Sequence, residues 1–231
     1  MVFSTPNTFT QWRATSIYEK EPWTLEWIAG FKAGETLLDC GANVGMYTNW
    51  AAATRQMRVY AFEPEAQNYA LLNRNIMLNG LVSTVKAYCM GLSNQNGLFD
   101  LHMADLRVGG SNHAVGDALN FENKPLQARF TQGCVASRLD DLVKAGAVPV
   151  PNHIKIDVDG FEHRVIEGAR ETLADSNVKS LLIETNQNLQ AHCDMVGALN
   201  AMGFIHDPAQ VLRAERKSGV FKGLAEYVFK R

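Results

Sequence analysis

The chain has 231 residues, 46% of them apolar, and its 22 Lys and Arg against 24 Asp and Glu leave a net charge of −2. That length suits one generous α/β domain with a real core and leaves little room for two. A near-neutral charge excludes a strong pull on a phosphate backbone, so no nucleic-acid partner is expected.

In chain order, Thr24 to Phe31 reads as the first helix, with Pro22 suited to its start. Thr36 to Cys40 is a short buried strand, Gly41 to Gly45 a loop, and Val44 to Thr54 a helix. Arg58 to Phe62 (RVYAF) is the second strand. Glu65 to Asn79 is a helix, with Tyr69, Leu72 and Ile76 in three-then-four spacing and Gly80 as its stop. Thr84 to Leu92 reads as one strand, and Leu98 to Met103 as another. The stretch from Gly109 to Pro125 reads as loop, and a loop of that length inside a compact domain is usually functional. Gln132 to Ala136 is a strand and Arg138 to Val143 a short helix. His153 to Val158 is a strand, Phe161 to Ala174 one helix, and Val178 to Glu184 a strand. Leu189, His192, Val196 and Leu199 mark a last helix, and Phe204-Ile205 with Tyr227 to Phe229 form a closing antiparallel pair. Strands alternating with helices predict an α/β protein with a largely parallel sheet.

Cys40, Cys89, Cys134 and Cys193 are scattered with no C-x-x-C, so neither a zinc ribbon nor a redox pair is signalled. No apolar run approaches a membrane span, and Met1 to Trp12 lacks a basic-then-apolar leader. A cytoplasmic protein without membrane contact is expected.

Three motifs carry chemistry. The first is LLDCGANVG, Leu37 to Gly45, between a strand and a helix. Asn43 stands where a pyrophosphate-binding loop needs its middle glycine, which disfavours a dinucleotide. A ligand with an amino-acid tail fits better, with Asp39 for an ammonium and loop N–H groups for a carboxylate. A glycine turn that only packs helix on strand would use the same residues. The second motif is Glu63-Pro64, ending the next strand about 20 residues on, where nucleotide-binding folds place an acid on ribose hydroxyls. An acid at a helix start is the plainer alternative. The third is IKIDVDGFE, Ile154 to Glu162. Lys155 and Asp157 share a strand face, and burying both requires pairing or placement at the ligand edge of the sheet. Asp157 can then act as general base or orient a hydroxyl, and the acids Asp157, Asp159 and Glu162 can alternatively hold a hard cation, though no metal is predicted. Glu184, closing the next strand, either faces this site or caps its loop. Asn112 and His113 lie in the long loop as possible substrate contacts. The candidate catalytic set is Asp157, Lys155 and Glu184.

At these motifs the chain resembles the FkbM family of S-adenosylmethionine-dependent methyltransferases. The matching pieces are Tyr18-Glu19-Lys20-Glu21-Pro22, DCGANVGMYT from Asp39, YAFEPEAQNYALLNRNIMLN from Tyr60, SRLDDL from Ser137, IKIDVDGFEHRVIEGA from Ile154, and LLIE from Leu181. Asp159 stands where the family commonly has Glu, and Cys40 where it has an aliphatic residue. The resemblance implies a doubly wound class I methyltransferase (Rossmann-like) fold, a mostly parallel seven-stranded sheet with one antiparallel strand. It implies S-adenosylmethionine as cofactor, S-adenosylhomocysteine as product, and methyl transfer to a hydroxyl of a small-molecule, natural-product or saccharide acceptor. By the same resemblance Asp39, Gly41, Ala42, Asn43 and Gly45 line the methionine end, and Glu63 with Pro64 meets the ribose. The stretch Cys89 to Leu92, with Met90 and Gly91, lies near adenine. The stretch Tyr18 to Pro22, with Tyr18 and Glu21 as its contacts, folds over the cofactor, and Asp157 borders it. Residues 1–33 are expected as a helical segment on the cofactor side of one domain, 34–231. A homo-oligomer is possible. The rivals are a nicotinamide-dependent oxidoreductase, a non-catalytic cofactor-binding protein and a purely structural domain.

Overall fold

A computed structural model describes residues 1–231. Three short helices open the chain, α1 (Thr8–Thr15), α2 (Ile17–Lys20) and α3 (Pro22–Ala29). The first half then runs β1 (Thr36–Cys40), α4 (Met46–Arg55), β2 (Arg58–Phe62), α5 (Ala66–Leu78) and β3 (Val85–Tyr88). An inserted group follows, β4 (Gly91–Leu92), β5 (Gly97–Met103), β6 (His113–Val115) and β7 (Phe130–Ser137). The second half is α6 (Leu139–Lys144), β8 (His153–Ile156), α7 (Glu162–Glu167), α8 (Arg170–Ala174), β9 (Ser180–Asn186), α9 (Gln190–Ala201), β10 (Ile205–His206), α10 (Pro208–Ala214) and β11 (Leu224–Lys230).

The main sheet has seven strands in the order β10-β11-β9-β8-β1-β2-β3. All run parallel except β11, which is antiparallel to both its neighbours. The period of two decides which face each residue covers. Leu38, Ile154, Ile156, Leu181 and Ile183 pack on one side with Val165, Leu173 and Leu199, whereas Leu37, Val59, Ala61 and Leu182 pack on the other with Ile28, Ala51, Leu72 and Ile76. Both faces are therefore covered by helices, which is why β1 is buried at every position and reads as a nearly continuous apolar run. The sheet reverses its winding between β1 and β8, and ligands of open α/β sheets bind at such a switch point, outside the carboxyl ends of the strands.

The elements differ from the sequence reading in four places. The expected strand Thr84–Leu92 is two strands in two sheets, because the chain leaves the main sheet after Tyr88 and re-pairs Gly91-Leu92 with Ala136-Ser137. A second, four-stranded sheet, β4-β7-β5-β6, takes in His113–Val115, read from sequence as loop. The expected helix Phe161–Ala174 breaks at Gly168, where an added Cβ would lie 2.0 Å from the Ser93 carbonyl oxygen. Helices α1, α2 and α10 are short and weakly patterned, and only α3 among the first three is legible in the sequence. All four cysteines are free, and no helix is long and apolar enough to cross a membrane.

Candidate active site

A cavity of 630 Å³ opens at the switch point. The ends of four adjacent strands bring carboxylates to it or beneath it. Glu63 follows β2, Asp157 follows β8, Glu184 sits near the end of β9, and all three line the cavity. Asp39, in β1, lines a smaller recess of 40 Å³ that shares Gly41, Asn43 and Asp157 with the cavity.

The glycine loop is built by its own hydrogen bonds. Gly41 and Ala42 both donate their N–H to the Phe62 carbonyl at 3.0 Å, and Gly45 donates to the Ala42 carbonyl at 2.8 Å. The Asn43 N–H donates to Glu63 Oε2 at 2.7 Å, and the Val44 N–H to Asn43 Oδ1 at 2.9 Å. The loop N–H groups read from sequence as a carboxylate cradle are thus spent within the loop. The glycines answer a packing demand: a Cβ on Gly41 would meet the Asp157 carbonyl oxygen at 1.9 Å, and one on Gly45 would meet Leu72 Cδ1 at 2.4 Å. Both have φ near +80°, a region costly for other residues.

Lys155 is the hub of the buried charges, 2% exposed, with its Nζ 2.9 Å from Asp157 Oδ2 and 4.0 Å from Asp39 Oδ1. Burial alone would lower its pKa, but Asp157, Asp39 and Glu21 around it raise it, so it stays an ammonium. Burial would raise Asp157, yet Lys155, Lys20 and Arg216 bring it down to about 2. Asp39 accepts from the Thr48 hydroxyl at 2.5 Å, while its Oδ1 is buried without a hydrogen-bond partner. Burial raises its pKa against the pull of Lys155.

Glu184 lies directly across from Glu226 of β11. Like charges so placed repel, and Arg216 spans them at 3.1 and 3.0 Å. Burial still holds the Glu184 carboxyl well above the usual carboxylate range, and Asp157 nearby adds to this. Glu63 is raised to about 8 by burial, although it accepts N–H bonds from Asn43 and Glu65. Asp159 has φ +57° and accepts from the N–H groups of Asn112 and His113, pinning the long loop to the cavity wall. Glu162 holds the same turn by accepting from Val158 and Gly160. No group of three or more His, Cys, Asp and Glu side chains is arranged to hold a metal ion.

The structure brings together most of the residues singled out from sequence. Gly41, Asn43, Glu63, Pro64, Gly91, Asp157, Glu184, Asn112 and His113 line the cavity, and Asp39, Ala42 and Lys155 line the recess. Glu21 is buried beside them, paired with Lys20. Three stand off the wall. Tyr18 is 63% exposed and rests edge-on against Trp50, because α2 turns that side chain outward. Met90 packs against the core at the kink between the two sheets, and Gly45 faces Leu72. Arg216 and Arg13 also line the cavity and were not foreseen, and Lys20, within the Tyr18–Pro22 stretch expected over the cofactor, lines it too. Glu226, an acid inside the apolar run Leu224–Phe229, was the one available signal for the Arg216 network.

Strand order, the single antiparallel strand and a ligand cavity at the switch point define the class I methyltransferase fold, Rossmann-like. Residues 39–205 match the methyltransferase FkbM domain, and the chain belongs to that family. It is 28% identical over 143 residues to the hexuronic acid methyltransferase AglP of Haloferax volcanii, covering 62% of this chain and 53% of that one. It is 27% identical over 179 residues to methyltransferase sdnD of Sordaria araneosa, 68% of this chain and 69% of that one. The chain thus spans only about half the length of AglP. Among solved structures, the fold resembles a precorrin-6y C5,15-methyltransferase of Geobacter metallireducens (TM-score 0.53, 12% identity, 99% of this chain and 93% of that one). It also resembles an rRNA methylase of Streptococcus thermophilus (TM-score 0.54, 13% identity, 90% and 94%).

Proposed function

We propose that the chain transfers the methyl group of S-adenosylmethionine to a hydroxyl oxygen of a small-molecule or saccharide acceptor. One observation carries this reading: acids from the ends of β9, β8 and β2, with the buried Asp39 of the intervening β1 beneath them, converge on a cavity walled by the Gly41–Asn43 turn. The donor set suits a cationic, ribose-bearing ligand. Glu63 retains lone pairs for two ribose hydroxyls after its two backbone contacts. The unpartnered Oδ1 of Asp39 suits an ammonium, and with the loop N–H groups spent, Arg13 and Lys20 at the recess suit the amino-acid carboxylate. Residues 1–33 serve as a cover on this side of a domain spanning 34–231, since Phe9, Trp12 and Arg13 of α1 complete the wall. The similarity to AglP, a hexuronic acid methyltransferase, supports a saccharide acceptor.

When bound, the cofactor supplies an activated sulfonium methyl; the protein must align an acceptor oxygen and take its proton. Glu184 is the better base. Its carboxyl lies on the cavity wall and is held high by burial, whereas Asp157, clamped by Lys155, is held near 2 and is too weak a base at neutral pH. Asp157 therefore orients the acceptor, Lys155 fixes Asp157, and Arg216 fixes Glu184. This reverses the order of roles expected from sequence.

A thermal-shift comparison of S-adenosylhomocysteine with NAD, followed by an acceptor screen with labelled cofactor, tests the proposal. At a hundredfold excess over Kd, a bound ligand adds about 2.7 kcal/mol of stability. Stabilisation by NAD alone, or by neither, overturns it.

A further inference from the structure

The cavity wall is divided by charge. The acids described above lie along the strand ends. On the wall made by α1 and the inserted sheet stand Arg13, Arg107 and Arg129, with one carboxylate, Asp105, among them. Arg13 and Arg107 both lie over the Phe9 ring, at 5.0 and 4.8 Å from its centroid. Arg129 joins them because its N–H bonds the Met103 carbonyl, two residues before Asp105. Asp105 holds the Arg107 guanidinium through both of its oxygens. The other cavity cations are matched: Lys20 by Glu21, Arg164 by Asp117, Arg216 by Glu184 and Glu226. Arg129 forms no ion pair. His113, on the same wall, has both ring nitrogens sealed from solvent and without a hydrogen-bond partner, a costly arrangement unless a ligand supplies one.

We propose that Arg107, Arg129 and His113 form an anion subsite that seats a carboxylate or phosphate carried by the methyl acceptor. This rests on the methyltransferase reading and narrows its substrate class to acidic acceptors. Arg13 is left out because it also lines the recess beside Asp39, where it can serve the cofactor; Arg107, Arg129 and His113 line only the wider cavity. A guanidinium pair reads a planar or tetrahedral oxyanion through parallel N–H bonds, and a neutral imidazole adds one donor.

The full chain, saturated with S-adenosylhomocysteine, is titrated calorimetrically with two matched pairs: methyl glucuronide against methyl glucoside, and glucose 6-phosphate against glucose. At least one charged probe is expected to bind about tenfold or more tightly than its neutral partner, weakening as salt rises. The two pairs tell carboxylate from phosphate. The double variant Arg107→Gln/Arg129→Gln should erase that preference and leave the S-adenosylhomocysteine Kd within about twofold. Both side chains are exposed, so the variant should keep its melting temperature, which is measured alongside. Parity within both pairs, including no binding by any probe, overturns the proposal. So does a double variant that keeps the preference or loses cofactor affinity instead. Should the parent chain fail to bind S-adenosylhomocysteine, the cofactor reading falls by itself, and the same pairs on the free chain still decide the anion subsite.

Discussion

The two walls of the cavity are built differently. The acidic wall is set by strand ends whose backbone is fixed by ladders on both sides, and its side chains are buried or half-buried and tied to one another: Lys155 to Asp157, Arg216 to Glu184 and Glu226, Thr48 to Asp39. The basic wall is carried by a surface helix and by loops of the inserted sheet, and Arg107 and Arg129 on it are exposed. Chemistry common to a fold belongs on the rigid wall, and selection among substrates on the looser one. If that division is right, changes on the acidic wall should alter turnover or cofactor binding, and changes on the basic wall should alter which acceptor is taken.

The largest effect is expected at Glu184. With Arg216 still paired to Glu226, Glu184→Gln should fold normally and lower kcat by about 10²–10⁴-fold, with cofactor affinity unchanged. In the parent, kcat/KM should rise with pH along a limb above the ordinary carboxylate range, and the variant should lose it. If Asp157→Asn removes that limb and Glu184→Gln leaves it, the two acids have been assigned the wrong way round.

Next comes Glu63. Measured at pH 9, above the value of about 8 to which burial raises it, Glu63→Gln removes a charged acceptor of the ribose hydroxyls, a loss of about 1.5–3 kcal/mol, or roughly ten- to hundredfold in S-adenosylhomocysteine Kd. Calorimetric affinity within twofold of the parent would take Glu63 out of the cofactor site.

A smaller effect is the pH dependence of stability. Burial raises Glu63 and Glu162 from 4.5 to about 8, so the folded chain holds protons that the unfolded chain has already released. Their contribution is complete below pH 4.5 and is lost as pH rises through 8. Between pH 7.5 and 8.5 the histidines, whose pKa values burial lowers from 6.5, are almost wholly neutral in the folded and the unfolded chain and do not oppose this trend. Chemical denaturation over that window should show stability falling with pH, and Glu63→Gln should flatten the slope. A flat parent profile would mean that water or the hydrogen-bonded turn keeps both acids ionised.

The smallest effect is expected at Tyr18, which resemblance places over the cofactor and the structure places on the surface against Trp50. Tyr18→Ala should change cofactor affinity by less than about twofold. A tenfold loss would show that α2 turns inward when the cofactor binds.

Much of the rigid wall is legible in the sequence. The apolar runs of β1, β2, β8 and β9 and the acids at or near their ends are read from neighbouring residues alone, because a parallel strand buried on both faces holds a charge only near its end or, as with Lys155, beside a charge of opposite sign. The looser wall and the hydrogen bonding of the glycine loop are not legible in this way. Gly109–His113 reads as free loop, yet Asn43 and Asn68 donate to the Gly110 carbonyl and Asp159 accepts from Asn112 and His113. The loop N–H groups read as available, yet all five are taken. The bonds from Asn43 to Glu63 and to Gly110 span 20 and 67 positions, and Arg13 reaches Gly109 across 96.

Local pattern therefore settled the alternation of strands and helices, the glycine turn and the acids at the strand ends, since each follows from burial within one element. Only the tertiary structure decided that Lys155 belongs to Asp157, that Arg216 stands between Glu184 and Glu226, and that Arg107 and Arg129 share a wall with His113. Pairing among buried or converging charges depends on distances between elements far apart in the chain, and no periodicity along the chain encodes them.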